Sequence, residues 1–312
     1  MKIAILGGGG AMGGLFGGML TEAGSEVTLI DVSQEAVSTI NAHGLSIQDK
    51  ASGVTRTVRV PASSEPAKVG TVDLVVNFVK CYHTEAAVRS AIPMIRPDTV
   101  VLTLQNGWGN APKISSIVGE ERVLVGLTYH SATLLEPGKV LHAGKGMTFM
   151  GELTGQMSDR LARVAEAFRA AGLEVTPTPN VLQEVYQKLA LNVCTLPTAA
   201  LLRFYAHQLV EHEPMLELMR ALLKEVVAVA GAQGVTLDEN ERWEAITGLL
   251  KRAVGGKASM LQDVERGGRT EIDVINGAIV EAGRRLGIPP PYNDSLVWLV
   301  KSLEETFEPV KA

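Results

Sequence analysis

Near the start of the chain, residues 2–13 read KIAILGGGGAMG. The short apolar run predicts a β-strand, and the glycines behind it match the pattern G-x-G-x-x-G and lead into a helical pattern. We expect Gly8 to allow a tight turn, Gly10 to let the backbone approach a pyrophosphate, and Gly13 to let helix and strand pack closely. This order of strand, glycine turn and helix predicts a dinucleotide-binding site at the head of a parallel sheet.

The next predicted strand, residues 26–31, ends in Asp31 about twenty residues beyond the glycines, where an acid that binds ribose belongs. A carboxylate there accepts hydrogen bonds from ribose hydroxyls and repels a 2′-phosphate, and the next residues offer no Arg or Lys to hold one. We therefore expect a nicotinamide cofactor, with NADH favoured and NADPH as the alternative. The motif also assigns Ala11 and Met12 to the cofactor, because they open the helix whose N-terminus faces the phosphates. The alternatives are a glycine turn without a ligand and an Asp that caps a helix.

Strand and helix patterns alternate through the first half of the chain. Strands are predicted over 72–79 and 99–104, shorter antiparallel strands between 123 and 150, and helices over 12–23, 33–44, 84–95 and 158–171. Such alternation predicts an α/β fold with a Rossmann-type, doubly wound parallel sheet. Beyond Pro177-Thr178-Pro179 the pattern is helical, with helices predicted over 215–232, 240–254 and 271–286. We expect a dinucleotide-binding domain at 1–179 and a helical substrate and catalytic domain at 180–312.

Composition excludes several classes of function. The formal net charge is -5 with no long run of Lys or Arg, so a nucleic-acid partner is not expected. No apolar stretch is long enough to span a bilayer, and the two cysteines, far apart, indicate a reducing compartment, which predicts a cytoplasmic protein. The six histidines do not cluster at ligand spacing, so no metal site is expected. The apolar helix at 215–232 suits either the core or a homodimer face.

Four polar segments lie in otherwise apolar surroundings. Asn106 follows a predicted parallel strand, where ligands of open sheets bind, although an Asn-Gly turn explains it too. Lys188 and Asn192 are four positions apart, hence on one helical face, and a Lys held there could donate a proton to a carbonyl oxygen. Periodicity alone favours a solvated Lys beside a structural Asn. Ser259 with its Gln three positions later also fits a capping box, and Glu271 fits the first turn of a helix.

Taken together, these segments resemble the ketopantoate reductase (2-dehydropantoate 2-reductase) family, which reduces a branched 2-oxo acid. The resemblance spans nearly the whole chain, and its most specific motifs are Ser-Met-Leu-Gln-Asp at 259–263 and Thr-Glu-Ile-Asp-x-Ile-Asn-Gly at 270–277. It implies that Lys188 is the general acid and that Glu271 contacts the substrate hydroxyl and the Lys188 ammonium. It also implies further contacts: substrate binding by Asn192, carboxylate binding by Ser259, and positions beside the cofactor for Asn106 and Lys80.

Two positions depart from the family pattern. Leu196 stands before Pro197 where the family usually has an Asn that contacts the substrate, and Asp31 differs from the many members that use NADPH. Reduction of ketopantoate by NADH is the leading interpretation. The alternatives are a related reductase of a more apolar 2-oxo acid, a β-hydroxyacid dehydrogenase, and a non-catalytic NAD(H) sensor. The segments around Ser259 and Glu271 argue against the dehydrogenase, and a sensor needs no proton donor.

Overall fold

The computed structural model of the protein describes residues 1–307. These residues form two compact units. The first unit consists of residues 1–105 and 110–181, and the second of residues 106–109 together with residues from 182 onwards. The sequence did not predict that four residues from the first half of the chain would belong to the second unit. The predicted domains at 1–179 and 180–312 stay a prediction, and residues 308–312 lie outside the described part of the chain.

Twelve strands are described in the first unit. They are β1 (Lys2–Leu6), β2 (Glu26–Ile30), β3 (Leu45–Asp49), β4 (Thr55–Val58), β5 (Ala62–Ser63), β6 (Leu74–Asn77), β7 (Val100–Thr103), β8 (Val123–Thr128), β9 (Ser131–Glu136), β10 (Lys139–Gly144), β11 (Thr148–Gly151) and β12 (Val175–Pro177). The helices of this unit are α1 (Ala11–Glu22), α2 (Gln34–His43), α3 (Thr84–Ala91), α4 (Asn110–Val118) and α5 (Asp159–Ala170). Ser33 and Ser158 cap α2 and α5 through their side-chain oxygens.

The main sheet has the strand order β12-β11-β8-β7-β6-β1-β2-β5. From β5 to β8 every neighbouring pair is parallel, whereas β11 runs antiparallel to β8. The order reverses between β1 and β6, and ligands of such sheets bind outside the carboxyl ends of the strands at that point. The predicted buried strand at 72–79 is confirmed as β6, whose four side chains are all buried.

A second, four-stranded sheet has the order β4-β3-β10-β9. The antiparallel pairing predicted between 123 and 150 is confirmed for β8 with β11 and for β9 with β10, but β10 also pairs in parallel with β3. Helix α1 packs closely on both sheets because its glycines leave room. A Cβ on Gly17 would overlap Leu29 of the main sheet, and one on Gly18 would lie 2.5 Å from Ile47 Cδ1 of the second sheet.

The second unit is helical, as predicted. Its helices are α6 (Val181–Leu202), α7 (Glu213–Gly231), α8 (Glu239–Arg252), α9 (Ser259–Glu265), α10 (Asn276–Leu286) and α11 (Pro291–Glu304). The buried side chains of α7 form part of the core of this unit: Met215, Met219, Leu222, Leu223, Val226, Val229 and Ala230. The helix predicted over 271–286 is wrong in its first part. A 3₁₀ turn at Ile272–Val274 is followed by Ile275 with φ −101° and ψ −94°, outside helical geometry, and α10 begins only at Asn276.

Among the helices of residues 1–307, none combines the length and the apolar character that a membrane crossing requires.

Candidate active site

Asn106 and Lys188 meet in the second unit, although 82 positions separate them in the chain. The Lys188 Nζ donates a hydrogen bond to the Asn106 Oδ1 at 2.8 Å. The segment 106–109 follows two residues after β7, yet its contacts assign it to the helical unit. The predicted Asn-Gly turn therefore does more than reverse the chain, because it presents an amide oxygen to the lysine.

Gly107 and Trp108 fasten this segment to the residues that follow Glu271. The Trp108 backbone N–H donates to the Val274 carbonyl oxygen at 2.8 Å. Gly107 has φ +78°, and a Cβ there would overlap the same carbonyl group. Only glycine meets both demands, a left-handed backbone and a direct approach to another backbone. The turn at Asn106 and the segment at Glu271 are thus held together.

Lys188 and Asn192 lie on α6 one turn apart, so their side chains share a face of the helix. Lys188 is half-buried, and Asn192 is 7% exposed. Burial lowers the pKa of Lys188 from 10.5 to about 8, and the negative charge of Glu271 acts in the opposite direction. The solvated-lysine alternative is therefore wrong. The Lys188 ammonium group is partly desolvated, donates a hydrogen bond to the Asn106 amide and is attracted by the Glu271 carboxylate.

Glu271 is 7% exposed and precedes the 3₁₀ turn at Ile272–Val274. A buried carboxylate needs compensation by a cation or by hydrogen-bond donors. Its Coulombic interaction with Lys188 supplies part of this compensation. The first-turn role in a long helix that spacing allowed for Glu271 is wrong, because no α-helix begins there.

Ser259 is the first residue of α9, and the preceding Ala258 is the N-cap, without a side-chain capping bond. The capping-box alternative is therefore wrong for Ser259. Gln262 donates instead to the Lys257 carbonyl oxygen at 3.2 Å. Ser259 is exposed, and within residues 1–307 its hydroxyl makes no hydrogen bond, so no bond joins it to Lys188 or Asn192.

The glycine-rich loop lies in the first unit, between β1 and α1. The left-handed residue of the turn is Gly7, with φ +76°, so the turn role predicted for Gly8 is corrected. A Cβ on Gly8 would instead lie 2.6 Å from Leu29 Cβ, so Gly8 is needed where the loop crosses β2. A Cβ on Gly13 would overlap the Gly7 carbonyl oxygen, which agrees with the close helix–strand packing expected there. Gly10 is the N-cap of α1 and contributes no capping side chain.

Asp31 directly follows β2 and folds back onto the glycine loop. Its Oδ2 accepts from the Gly9 N–H at 2.8 Å, and its Oδ1 accepts from the Ser33 N–H at 3.0 Å. The helix-capping alternative is wrong, because Ser33 caps α2. A carboxylate offers about four lone-pair sites, so two backbone donors leave capacity for the two hydroxyls of a ribose.

Ala11 and Met12 open α1, and Lys80 follows β6 across the point where the strand order reverses. A Cβ on Gly7 would lie 3.0 Å from the Val79 backbone N, so the loops after β1 and β6 touch. Lys80 is half-buried beside that contact in the chain. Three features of this region fit a dinucleotide. They are an uncapped helix N-terminus, glycines that leave no side chain in the way, and an acid with spare acceptor capacity.

A buried amide network at the ends of β6 and β7 was missed by the sequence analysis. Asn77 Nδ2 donates to Gln105 Oε1 at 2.8 Å, and Gln105 Nε2 donates to the Val79 carbonyl oxygen at 2.7 Å and to Thr84 Oγ1 at 2.8 Å. The bonds join the loops of two adjacent strands and fix the end of β7, from which Asn106 departs. One signal was available, since Asn77 interrupts an apolar strand.

The parallel sheet, the glycine loop and the acid after β2 define a dinucleotide-binding α/β protein. Family models agree and are more specific. Residues 3–155 match the model described as ketopantoate reductase PanE/ApbA, and residues 180–304 match the model for the C terminal of the same reductase.

The similarity to individual proteins covers nearly the whole chain. A 2-dehydropantoate 2-reductase of Halobacterium salinarum is 36% identical over 94% of this chain and 95% of its own length. A PanE/ApbA family ketopantoate reductase of Ralstonia eutropha has 35% identity, a TM-score of 0.89 and coverage of 98% of this chain and 99% of its own. A D-mandelate dehydrogenase with NADH and anilino(oxo)acetate has 31% identity, a TM-score of 0.92 and the same coverage.

The chain belongs to the ketopantoate reductase family, and it is an oxidoreductase with a nicotinamide-binding fold.

Proposed function

We propose that the protein reduces ketopantoate to pantoate with NADH and that Lys188 is the general acid of the reaction. The observation that carries the proposal is the environment of the Lys188 ammonium. This group is partly desolvated, donates a hydrogen bond to Asn106 and interacts electrostatically with the carboxylate of Glu271. A general acid works best when its pKa lies near the operating pH, and a pKa of about 8 meets that condition.

NADH supplies a hydride to the carbonyl carbon when it is bound. Lys188 then gives a proton from its Nζ to the carbonyl oxygen, so that no free alkoxide forms. Asn106 orients the ammonium by accepting a hydrogen bond from one of its three N–H groups. Glu271 opposes the loss of the proton from Lys188 before the reaction, because its charge favours the ammonium form. In this proposal Glu271 also accepts a hydrogen bond from the substrate hydroxyl.

Asn192 and Ser259 are proposed to hold the substrate. The side chain of Asn192 makes no hydrogen bond within residues 1–307, although it is nearly buried on the face of α6 that carries Lys188. A polar substrate bound against that face would give the Asn192 amide a hydrogen-bond partner. Ser259 has a hydroxyl available to donate to the substrate carboxylate.

For the cofactor, we propose that Gly8, Gly10 and Gly13 form the pyrophosphate cradle, with Ala11 and Met12 at the helix N-terminus and Lys80 nearby. Asp31 supports NADH over NADPH, because its carboxylate would repel a 2′-phosphate. Asp31→Ser should therefore weaken NADH use and narrow the difference between the two cofactors. Equal or better kcat/KM with NADPH in the wild type would contradict the NADH proposal.

A second candidate substrate is a 2-oxo acid with an apolar side chain. Leu196 lies one turn beyond Asn192 on the same face of α6 and is 9% exposed. A leucine at this place provides an apolar surface and lacks the side-chain amide with which the family's usual Asn contacts the substrate. The similarity to the D-mandelate dehydrogenase with NADH and anilino(oxo)acetate also favours this candidate.

NADH consumption decides between the candidates. The purified protein is assayed with ketopantoate and with branched or aromatic 2-oxo acids that lack the hydroxyl, and kcat/KM is compared. Preference for ketopantoate supports the leading proposal, whereas preference for an unhydroxylated acid supports the second. Binding of NADH without turnover of any 2-oxo acid would instead favour a sensor.

Lys188→Ala tests the general acid in the same assay. We expect turnover to be lost while NADH binding, followed by its fluorescence, stays intact. The matched control is Lys251→Ala, since Lys251 is an exposed lysine of α8 in the same unit. Retained turnover in Lys188→Ala would remove this residue from the chemistry.

We also propose that 1–179 serve the cofactor and 180–312 the substrate, with 106–109 contributing to the second site. A cytoplasmic location suits Cys81 and Cys194, neither of which forms a disulfide. The proposed partner is a small 2-oxo acid, with no nucleic acid. A homodimer is tested by light scattering of the purified protein.

A further inference from the structure

Pro197 lies inside α6, between Leu196 and the end of the helix. Proline has no backbone N–H, so it cannot donate to the carbonyl oxygen four residues earlier, which belongs to Val193. A carbonyl group deprived of its helical donor inside a protein needs another partner. Val193 directly follows Asn192, so this gap falls in the part of the helix that faces the proposed substrate.

Asn276 fills the gap. Its Nδ2 donates to the Val193 carbonyl oxygen at 3.2 Å and to Asn293 Oδ1 at 3.0 Å. The side chain is 0% exposed, and its Oδ1 has no partner among residues 1–307. The reverse orientation of the amide would place that oxygen against the Val193 oxygen and lose both donated bonds. The amide orientation is therefore determined by its donors.

The bonds continue from Asn276 to two other helices. Asn293 Nδ2 donates to Glu225 Oε2 at 2.7 Å, and the backbone N–H groups of Tyr292 and Asn293 donate to the two oxygens of Glu225, each at 2.9 Å. Glu225 on α7 thus caps the N-terminus of α11 from outside that helix. Asn276 is fixed on one side by this cap and fixes α6 on the other.

We propose that Asn276 is a positioning residue, which sets the course of α6 past Pro197 and so places Asn192 and Leu196 for the substrate. The inference rests on the proposed function, in which these two side chains face the 2-oxo acid. Helices bend where a proline or an inserted group interrupts the hydrogen-bond ladder, so the donor at Val193 determines the bend. Small misplacements of positioning groups are costly, since about 1 Å can reduce a rate about a hundredfold.

The test is a double-mutant cycle of Asn276→Ala and Pro197→Ala. Asn276→Ala should lower kcat/KM for the preferred 2-oxo acid about tenfold, with KM for NADH within about twofold of the wild type. Pro197→Ala restores a backbone N–H that can reach the Val193 oxygen. In that background the same Asn276→Ala change should cost less than about threefold, because the helix supplies its own donor.

Two further variants separate positioning from general destabilisation. Asn276→Asp keeps the shape but cannot donate to Val193, so it should lose at least as much kcat/KM as Asn276→Ala. Asn41→Ala removes an Asn that bonds to both backbone groups of Ala62 in the first unit. It should lower the melting temperature without changing kcat/KM or coupling to Pro197→Ala.

Rescue of kcat/KM by Pro197→Ala is the expected result. Losses that simply add in the double variant, or an unchanged kcat/KM in Asn276→Ala, would overturn the inference. A wild type that reduces no 2-oxo acid indicates instead that the proposed function fails, and the inference fails with it. The wild-type assay therefore distinguishes the two failures.

Discussion

Replacing Glu271 by Gln should move the alkaline decline of the reduction rate to lower pH. Lys188 must carry a proton to act as general acid, and its pKa is about 8. About half of these side chains are protonated at pH 8 and about one in ten at pH 9. In the wild type, kcat/KM for reduction should therefore fall about tenfold for each pH unit above 8. An ordinary lysine, with a pKa of 10.5, would show no decline in this range.

Glu271→Gln keeps the size of the side chain and removes its negative charge. Burial then lowers the pKa of Lys188 without opposition from that charge, so the ammonium loses its proton at lower pH. The decline should begin below its wild-type position. In the direction of 2-hydroxy acid oxidation the unprotonated amine is needed, so that rate should rise with pH over the same interval.

The assay is the absorbance change of NADH between pH 6 and 10, with kcat/KM measured in both directions. The matched control is Glu244→Gln, an exposed glutamate on α8, which should leave both profiles unchanged. A reduction profile that stays flat to pH 9.5 would refute the role of Lys188. A decline at the same pH in Glu271→Gln and the wild type would refute the coupling of the two groups.

The same pKa has a consequence for stability. Between pH 8 and 10.5 the unfolded chain binds the Lys188 proton more tightly than the folded chain, so the free energy of unfolding should rise with pH in that interval. Below pH 8 the buried charge costs at most about 3 kcal/mol, since some exposure of the side chain reduces the cost. Lys188→Met should therefore be inactive yet more stable in urea at pH 7. Equal or lower stability would contradict the lowered pKa.

Three further outcomes are expected. Gly107→Ala should lower the free energy of unfolding by roughly 2–4 kcal/mol in urea. Gly234 has φ +79° but open space around it, so Gly234→Ala should lower the free energy of unfolding by about 1 kcal/mol. Equal losses in the two variants would argue against the backbone overlap at Gly107. Burial alone would raise the pKa of Glu152, but the hydrogen bonds from Arg160 and Ser158 outweigh burial and lower the pKa. The stability that the ionised Glu152 contributes should therefore be lost as the pH falls below 4.5. Glu152→Gln should flatten the dependence of stability on pH in that range. Burial raises the pKa of the Cys194 thiol, so mass spectrometry should find it unmodified by iodoacetamide in the native protein at pH 7.5 and modified only in urea.

Local patterns predicted the elements of the sheet well. Strand β1 and the start of α1 follow from the apolar run and the glycines, and β6 follows from its continuous apolar sequence. The second sheet escaped prediction at β3 and β4, because both strands are short and partly polar, and because β3 also pairs with the distant strand β10. Pairing between strands is a property of the folded chain that period-2 alternation does not encode.

The candidate site divides in the same way. The spacing of Lys188 and Asn192 was enough to place them on one helical face, but their burial was not predictable from that spacing. The hydrogen bond from Asn276 to the Val193 carbonyl oxygen joins residues 83 positions apart, so local sequence patterns do not predict it. Pro197 indicates only that the Val193 oxygen needs some donor other than the helix backbone. At Glu271 and Ser259 spacing alone favoured structural explanations, and only the motif resemblance predicted a role in the site.

The assignment of 106–109 to the helical unit limits how this protein can be divided. A fragment that begins at residue 182 would contain nearly all of the helical unit and still lack the amide that accepts from Lys188. An exchange of N-terminal halves between relatives would import a foreign turn against Val274 at the same time as a foreign cofactor loop. The turn that contacts Lys188 therefore travels with the N-terminal half, and chimeras designed to alter the nicotinamide cofactor preference should be built by replacing loops around Asp31 rather than whole domains.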